Sequence, residues 1–159
     1  MTALSALHQG RASFDSQAWA DAYAQLTAAD RELSLGPDDL MRLGVAASLL
    51  GEDDESNELR IRAHHAYVQR GDAAGAVRCA FWVAMSFRRR GDAVRAGAWF
   101  NRAQSLLAGI SQDCVEQGYL LLPVAFRHMA EGDAAAAYLS EANTSPAPCL
   151  TSCVKWSPC

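Results

Sequence analysis

The chain has 159 residues, half of them apolar, which is enough for one domain with a sizeable core. Its formal net charge of −4 provides no basic field that would favour nucleic acid, and its longest apolar run, residues 119–126, is too short to span a bilayer. The first eleven residues lack the charged and apolar regions of a secretory signal, so we expect a cytoplasmic protein.

Aspartates and glycines divide most of the chain into segments with helical periodicity. The pattern predicts eight helices, over residues 2–14, 16–31, 37–50, 54–70, 73–90, 93–108, 113–131 and 133–142. Seven aspartates stand at or beside the starts of these segments, where their side chains are expected to accept backbone N–H groups of the first helical turn. These residues are Asp15, Asp38, Asp53, Asp72, Asp92, Asp113 and Asp133.

Residues that suit turns and close helix contacts recur at fixed offsets, which predicts four helical hairpins. The turns are expected at Gln17, Gly51, Gly91 and Gly132. Small residues stand seven positions before most turns, and again five and twelve positions after them, where two helix backbones would approach closely. The residues before the turns are Gly10, Gly44, Ala84 and Ala125; those five after are Ala22, Ser56, Ala96 and Ala137; those twelve after are Ala29, Ala63, Ala103 and Thr144. The space-filling position nine residues after each turn holds Leu26, Arg60, Phe100 and Glu141.

This order of small, turn, small, bulky and small residues resembles the tetratricopeptide-repeat (TPR) family. Residues 10–33, 78–107 and 113–138 are also similar to the helical-repeat region that precedes the DNA-binding domain of actinobacterial LuxR-type transcriptional regulators. The predicted fold is therefore all-α, a right-handed α-solenoid of about four antiparallel TPR-like hairpins over residues 1–142. The resemblance implies a regulatory or scaffolding relative. Because the 159 residues contain no counterpart of the regulators' helix-turn-helix, we do not expect this chain to bind nucleic acid directly.

Residues 143–159 depart abruptly from the repeat pattern. This stretch is rich in Ser, Pro and Cys, and its prolines forbid a long helix, so an irregular tail is predicted. We interpret the change as a truncated or frame-altered end. It supports an alternative function, that of a shortened homologue of a LuxR-type regulator without its DNA-binding domain. Uncovered terminal helices are expected to self-associate or to be covered by the tail.

The first helix of each hairpin is expected to line a concave groove. Offsets from the turns place these groove residues on it: Arg11, Met41, Arg78, Phe81, Met85, Arg88, Arg89, Tyr119, Phe126 and Met129. An apolar trough with arginines at its rim suits an amphipathic or acidic peptide, or a partner domain. Two alternatives remain: the same apolar residues close the core between first helices, or they form a small-molecule-sensing site.

Other chemically suggestive residues do not combine into a catalytic or metal-binding pattern. His64 and His65 are adjacent, so a helix points them about 100° apart. The last eleven residues hold three cysteines without a fourth ligand, and Cys114, at a predicted helix start, has no histidine nearby in sequence to act as a base. We therefore predict a non-enzymatic protein–protein interaction module that needs no cofactor and no metal.

Overall fold

A computed structural model describes residues 2–109, 116, 118–121, 125, 128 and 132–133 of the chain. Six helices fill the continuous part: α1 (Ala3–Asp15), α2 (Trp19–Glu32), α3 (Pro37–Leu49), α4 (Asp53–Arg70), α5 (Ala73–Arg89) and α6 (Ala93–Leu107). Residues 116, 118–121, 125 and 128 are also helical. The predicted all-α class and the first six helices are confirmed; the eighth helix and the tail over 143–159 lie outside the described residues.

The predicted turn residues have a left-handed backbone. Gln17, Gly51, Gly91 and Gly132 all have positive φ, between 61° and 87°, so the four predicted turn positions are confirmed. Glycine adopts this conformation without the steric cost that a Cβ imposes, which explains three of the four. Gly71, with φ of 77°, ends α4 in the same way and separates the second hairpin from the third.

The aspartates that precede helices have two different roles. Asp72 and Asp92 are N-caps, since their carboxylates accept the backbone N–H of Gly75 at 2.8 Å and of Arg95 at 2.9 Å. The prediction is wrong for Asp15, which is the last residue of α1 and not a cap. The cap of α1 is Thr2.

Asp38 and Asp53 lie inside the first turns of α3 and α4, and their carboxylates reach neighbouring helices. Asp38 accepts the hydroxyl of Tyr67 at 2.7 Å, and Asp53 pairs with Arg89. Because both side chains are engaged in contacts between helices, the prediction that they cap their own helices is wrong. Asp113 lies outside the described residues.

Within each hairpin the two helices meet at small residues. Ala22, Ala29, Ala63 and Ala103 are fully buried, as the repeat pattern predicts. The approach of α1 to α2 is so close that a Cβ at Gly10 would lie 2.7 Å from the Cγ of Leu26. In the second hairpin, the hydroxyl of Ser56 donates to the carbonyl of Gly44 at 2.6 Å. Helix packing at these positions therefore excludes larger side chains.

Contacts between hairpins join odd-numbered helices to one another. Arg11 of α1 binds Asp39 of α3 through two hydrogen bonds of 2.8 and 2.6 Å. One hairpin further on, the thiol of Cys79 on α5 lies 3.2 Å from the sulfur of Met41 on α3.

Even-numbered helices are joined in the same manner. Arg62 of α4 binds Asp30 of α2 at 2.7 and 2.9 Å, and the ring centroids of His64 on α4 and Trp99 on α6 are 5.2 Å apart. The described helices therefore pack one after another in chain order, with Leu26, Leu43 and other buried apolar residues between them.

Candidate interaction surface

One side of α5 presents four long side chains to solvent. Arg78, Trp82, Met85 and Arg89 follow one another at intervals of four, three and four residues, the spacing of a single helical face. Trp82 is 42% exposed, Met85 is half-buried, and both arginines are exposed. We call these four residues the α5 stripe. It contains three of the predicted groove residues and adds Trp82, which the sequence analysis did not select.

Phe81, the central residue of the predicted groove, lies in the core instead. Its side chain is only 2% exposed, and its ring stacks on Tyr119 with the centroids 5.0 Å apart. The rings of Trp82 and Phe100 also contact it, with centroids at 5.3 and 6.3 Å. This burial agrees with the alternative that the apolar residues of the first helices close a core between hairpins.

The other predicted groove residues are spread over the odd-numbered helices. Arg11 lies on α1, and Met41 lies half-buried on α3. Arg88 is exposed on α5 beside the stripe, and Tyr119 is half-buried against Phe81. Phe126 and Met129 lie outside the described residues.

Three of the four predicted rim arginines are paired with carboxylates of neighbouring hairpins. Arg11 binds Asp39, Arg78 binds Glu116 at 2.9 Å, and Arg89 contacts Asp53 at 3.3 Å. In each pair the arginine side chain keeps 43% or more of its surface exposed. These arginines therefore hold adjacent hairpins together and still present their outer surface to a partner.

Arg60, on α4, is a cation of a different kind. The residue is 8% exposed, its Nε–H has no hydrogen-bond partner, and its guanidinium carbon lies 5.9 Å from the centre of the Trp82 ring. The aliphatic part of the Arg60 side chain packs against α3 at Gly44, which has no side chain. A Cβ at Gly44 would lie 3.4 Å from the Arg60 Cγ. Arg60 forms no salt bridge within the part of the chain that the structure describes.

The surroundings of Arg60 compensate its charge only in part. Burial lowers the pKa of Arg60 below its usual value and the positive charge of Arg89 acts in the same direction, whereas Cys79 and the carboxylate of Asp53 act against them. Asn57, one turn earlier on α4, is also buried, and its Oδ1 has no donor. Two buried polar atoms without partners thus stand one turn apart on the same helix. We call Arg60, Asn57 and Trp82 the seam site, because Arg60 meets Trp82 where α4 packs against α5.

The repeat pattern contains the signal that marks Arg60. It stands nine residues after Gly51, at the position that holds Leu26 in the first hairpin and Phe100 in the third. A charged residue at a position that is apolar in the first and third hairpins is informative, because arginine is almost never fully buried without a partner.

An open depression of about 610 Å³ lies where the start of α1 meets the loop between α2 and α3. Leucine side chains line one part of it, and Arg11, Asp39 and Arg42 line another. Asp39 accepts hydrogen bonds from both arginines, at 2.6 and 3.1 Å. Each charged group that lines this depression therefore has an ion-pair partner, and leucine side chains supply its apolar surface.

The thiol of Cys79 and the imidazole of His64 are both buried, and burial favours the uncharged form of each. Burial raises the pKa of Cys79 to about 12, so its thiol stays protonated at neutral pH. Burial lowers the pKa of His64, and its Nδ1 lies 2.9 Å from the carbonyl oxygen of Ala76. No cluster of three potential metal ligands occurs among the described residues. Cys114 and the tail cysteines lie outside them.

Comparison with known proteins leaves the fold and the surface to be interpreted from the molecule itself. No helix in the described ranges has the length and hydrophobicity that a membrane span requires. The resemblance to TPR proteins and to LuxR-type regulators stays a prediction, since neither a protein-family model nor a curated protein matches the chain.

Proposed function

We propose that the chain is a non-enzymatic protein–protein interaction module, a right-handed α-solenoid of helical hairpins that binds a peptide or partner domain along its odd-numbered helices. The α5 stripe is the observation that carries this proposal. An indole and a thioether lie between two guanidinium groups on the first helix of a hairpin. Tryptophan and arginine are the residues most enriched among those that dominate binding energy at protein interfaces.

The stripe has the dimensions of a short peptide site. Its ends are eleven residues apart on α5, which corresponds to about 16 Å along a helix, and an extended segment of about five residues covers that length. Arg78 and Arg89 are held in place by Glu116 and Asp53, so less side-chain entropy is lost when a partner binds them.

The burial of Phe81 weighs against the small-molecule alternative. That alternative places a ligand among Phe81, Met85, Tyr119 and Phe126. The ring of Phe81 is already stacked on that of Tyr119. Because the two rings are in contact, no space for a ligand is left between them, which favours recognition on the exposed α5 stripe.

The proposal is tested by comparing two exposed apolar side chains. Trp82→Ser removes the indole of the α5 stripe, whereas Val94→Ser removes an 84% exposed apolar side chain from α6. Proteins captured by the wild-type chain from lysate of the organism that encodes it are identified, and binding of the best-enriched one is then measured for each variant. We expect Trp82→Ser to weaken binding about 30-fold or more, the effect of losing a dominant contact, and Val94→Ser to leave it unchanged.

Equal binding by the wild type and Trp82→Ser would contradict the proposal, as would the failure of any captured protein to bind the purified wild-type chain. Circular dichroism establishes that both variants are folded. Phe81→Ala is unsuitable for this purpose, because truncating a 2% exposed phenylalanine costs about 3–5 kcal/mol of stability.

A further inference from the structure

The seam site combines a buried cation without a counter-ion and an exposed aromatic ring. Arg60 is more than nine-tenths buried and its Nε–H is unpaired, whereas Trp82 is 42% exposed. The indole, the more exposed of the two groups, has its ring centre 5.9 Å from the guanidinium carbon. An unpaired buried donor is costly, and native proteins satisfy nearly all such groups.

The charges around the α5 stripe indicate which kind of partner Arg60 lacks. Arg78 and Arg89 each have a carboxylate from this chain, and Arg60 has none among the described residues. A carboxylate matches the planar guanidinium and supplies one negative charge. A polyanion such as nucleic acid fits less well, because the chain carries a net charge of −4 and Asp53 and Asp54 stand close to Arg89 and Arg90 at the ends of α4 and α5.

We propose that the seam site receives an aspartate or glutamate side chain of a bound acidic peptide, whose carboxylate pairs with Arg60 beneath the indole of Trp82. This inference rests on the proposed function and specifies its partner. The carboxylate accepts the unpaired Nε–H of Arg60, and the NH₂ group of Asn57, one turn earlier on α4, is a second donor that can turn toward it. A neighbouring apolar residue of the peptide then packs on the exposed face of Trp82.

Access to Arg60 needs only a local movement. The indole of Trp82 is partly in solvent; rotation of its side chain gives up the edge contact with Phe81, whose ring keeps its stacking on Tyr119. The peptide therefore meets a preformed cation whose desolvation cost has been met during folding, and each hydrogen bond to it is strengthened by the low local dielectric.

The inference is tested with a library of random dodecapeptides displayed on phage and selected against the full chain. Three variants are selected in parallel: Arg60→Met, Trp82→Ser and Arg62→Met. The last is the matched control, since Arg62 lies on the same helix and is already paired with Asp30. We expect wild type and Arg62→Met to enrich peptides with an acidic residue beside an apolar one, and Arg60→Met to lose the acidic preference.

The best wild-type peptide is then synthesised with its acidic residue unchanged or replaced by the matching amide. Against the wild type, we expect the amide to weaken binding at least about tenfold, because a buried charge-assisted hydrogen bond is lost. Against Arg60→Met, the two peptides should bind within about twofold of each other.

Two results would overturn the inference and are distinguishable. Enriched peptides without an acidic preference, or an acidic preference that survives in Arg60→Met, would remove the seam site and leave the proposed peptide-binding function standing. If the wild type enriches no peptide at all, both the inference and the peptide-binding function fail.

Discussion

Replacing Arg60 by methionine is expected to stabilise the fold, although it removes the residue that we place at the centre of recognition. The buried Nε–H of Arg60 has no acceptor, and the guanidinium forms no salt bridge with a carboxylate of the described residues. Methionine keeps an unbranched stem like the part of Arg60 that passes Gly44, and we expect its sulfur to contact the indole of Trp82. The substitution therefore removes a desolvated charge and preserves the packing.

The size of the effect follows from two opposing contributions. A buried donor without a partner costs about 1–3 kcal/mol, whereas a cation over an indole contributes about 0.5–2 kcal/mol of stability. Since a sulfur–aromatic contact replaces part of the lost attraction, we expect the free energy of unfolding to rise by about 1 kcal/mol in Arg60→Met.

Arg62→Met provides the matched comparison with the opposite sign. Arg62 forms two hydrogen bonds to Asp30, of 2.7 and 2.9 Å, at a half-exposed position. Its loss should lower the free energy of unfolding by about 0.5–1 kcal/mol. Both variants are unfolded in urea at pH 7.5 and followed by circular dichroism at 222 nm. A loss of 1 kcal/mol or more in Arg60→Met would refute the view that Arg60 is only partly compensated.

Two further measurements test the helix packing and the titration of the core. A Cβ at Gly75 would lie 2.6 Å from the Tyr67 ring, whereas one at Gly97 meets nothing within 4 Å. Gly75→Ala should therefore be less stable than Gly97→Ala by about 1–3 kcal/mol in urea unfolding, and equal stabilities would contradict the packing. His64 has a lowered pKa when folded, so the free energy of unfolding should be highest above its unfolded pKa of about 6.5 and should decline as the pH falls below it. The decline between pH 7 and 5 should be shallower in His64→Asn, and identical slopes would show that another group titrates.

The features that were predicted correctly are those that depend on nearby residues. A left-handed turn favours glycine whatever the rest of the fold does, and Gly51, Gly91 and Gly132 occupy such turns. The close contact between Gly10 and Leu26 arises within one hairpin, between residues sixteen positions apart. Short-range constraints of this kind leave a periodic trace in the chain, which is why the six helices could be located.

The exposed face of α5 could not be chosen from its own residues. Phe81 and Trp82 are both aromatic and differ by about 100° on the helix, so periodicity alone does not decide which of them is buried. The burial of Phe81 depends on Tyr119, which lies 38 residues later in the chain and stacks on the Phe81 ring.

Arg60 is absent from the predicted groove residues for a related reason. Hydrophobic patterning treats arginine as a surface residue, and the burial of this arginine depends on how α4 packs against α5. Leu26 and Phe100, the apolar residues at the equivalent positions of the first and third hairpins, were the only sign in the sequence that Arg60 is buried.

The packing order of the helices has a mechanical consequence. Each described helix packs on the helix next to it, and the larger contacts reach no further than the next helix but one. Force applied to the two ends of such a chain is carried through successive seams in series. We therefore expect stretching in an optical trap to give several small extension steps, each the length of one hairpin, in place of a single large rupture. The seam between α2 and α3, where the contacts between hairpins are sparser than between α4 and α5, is the one we expect to open first.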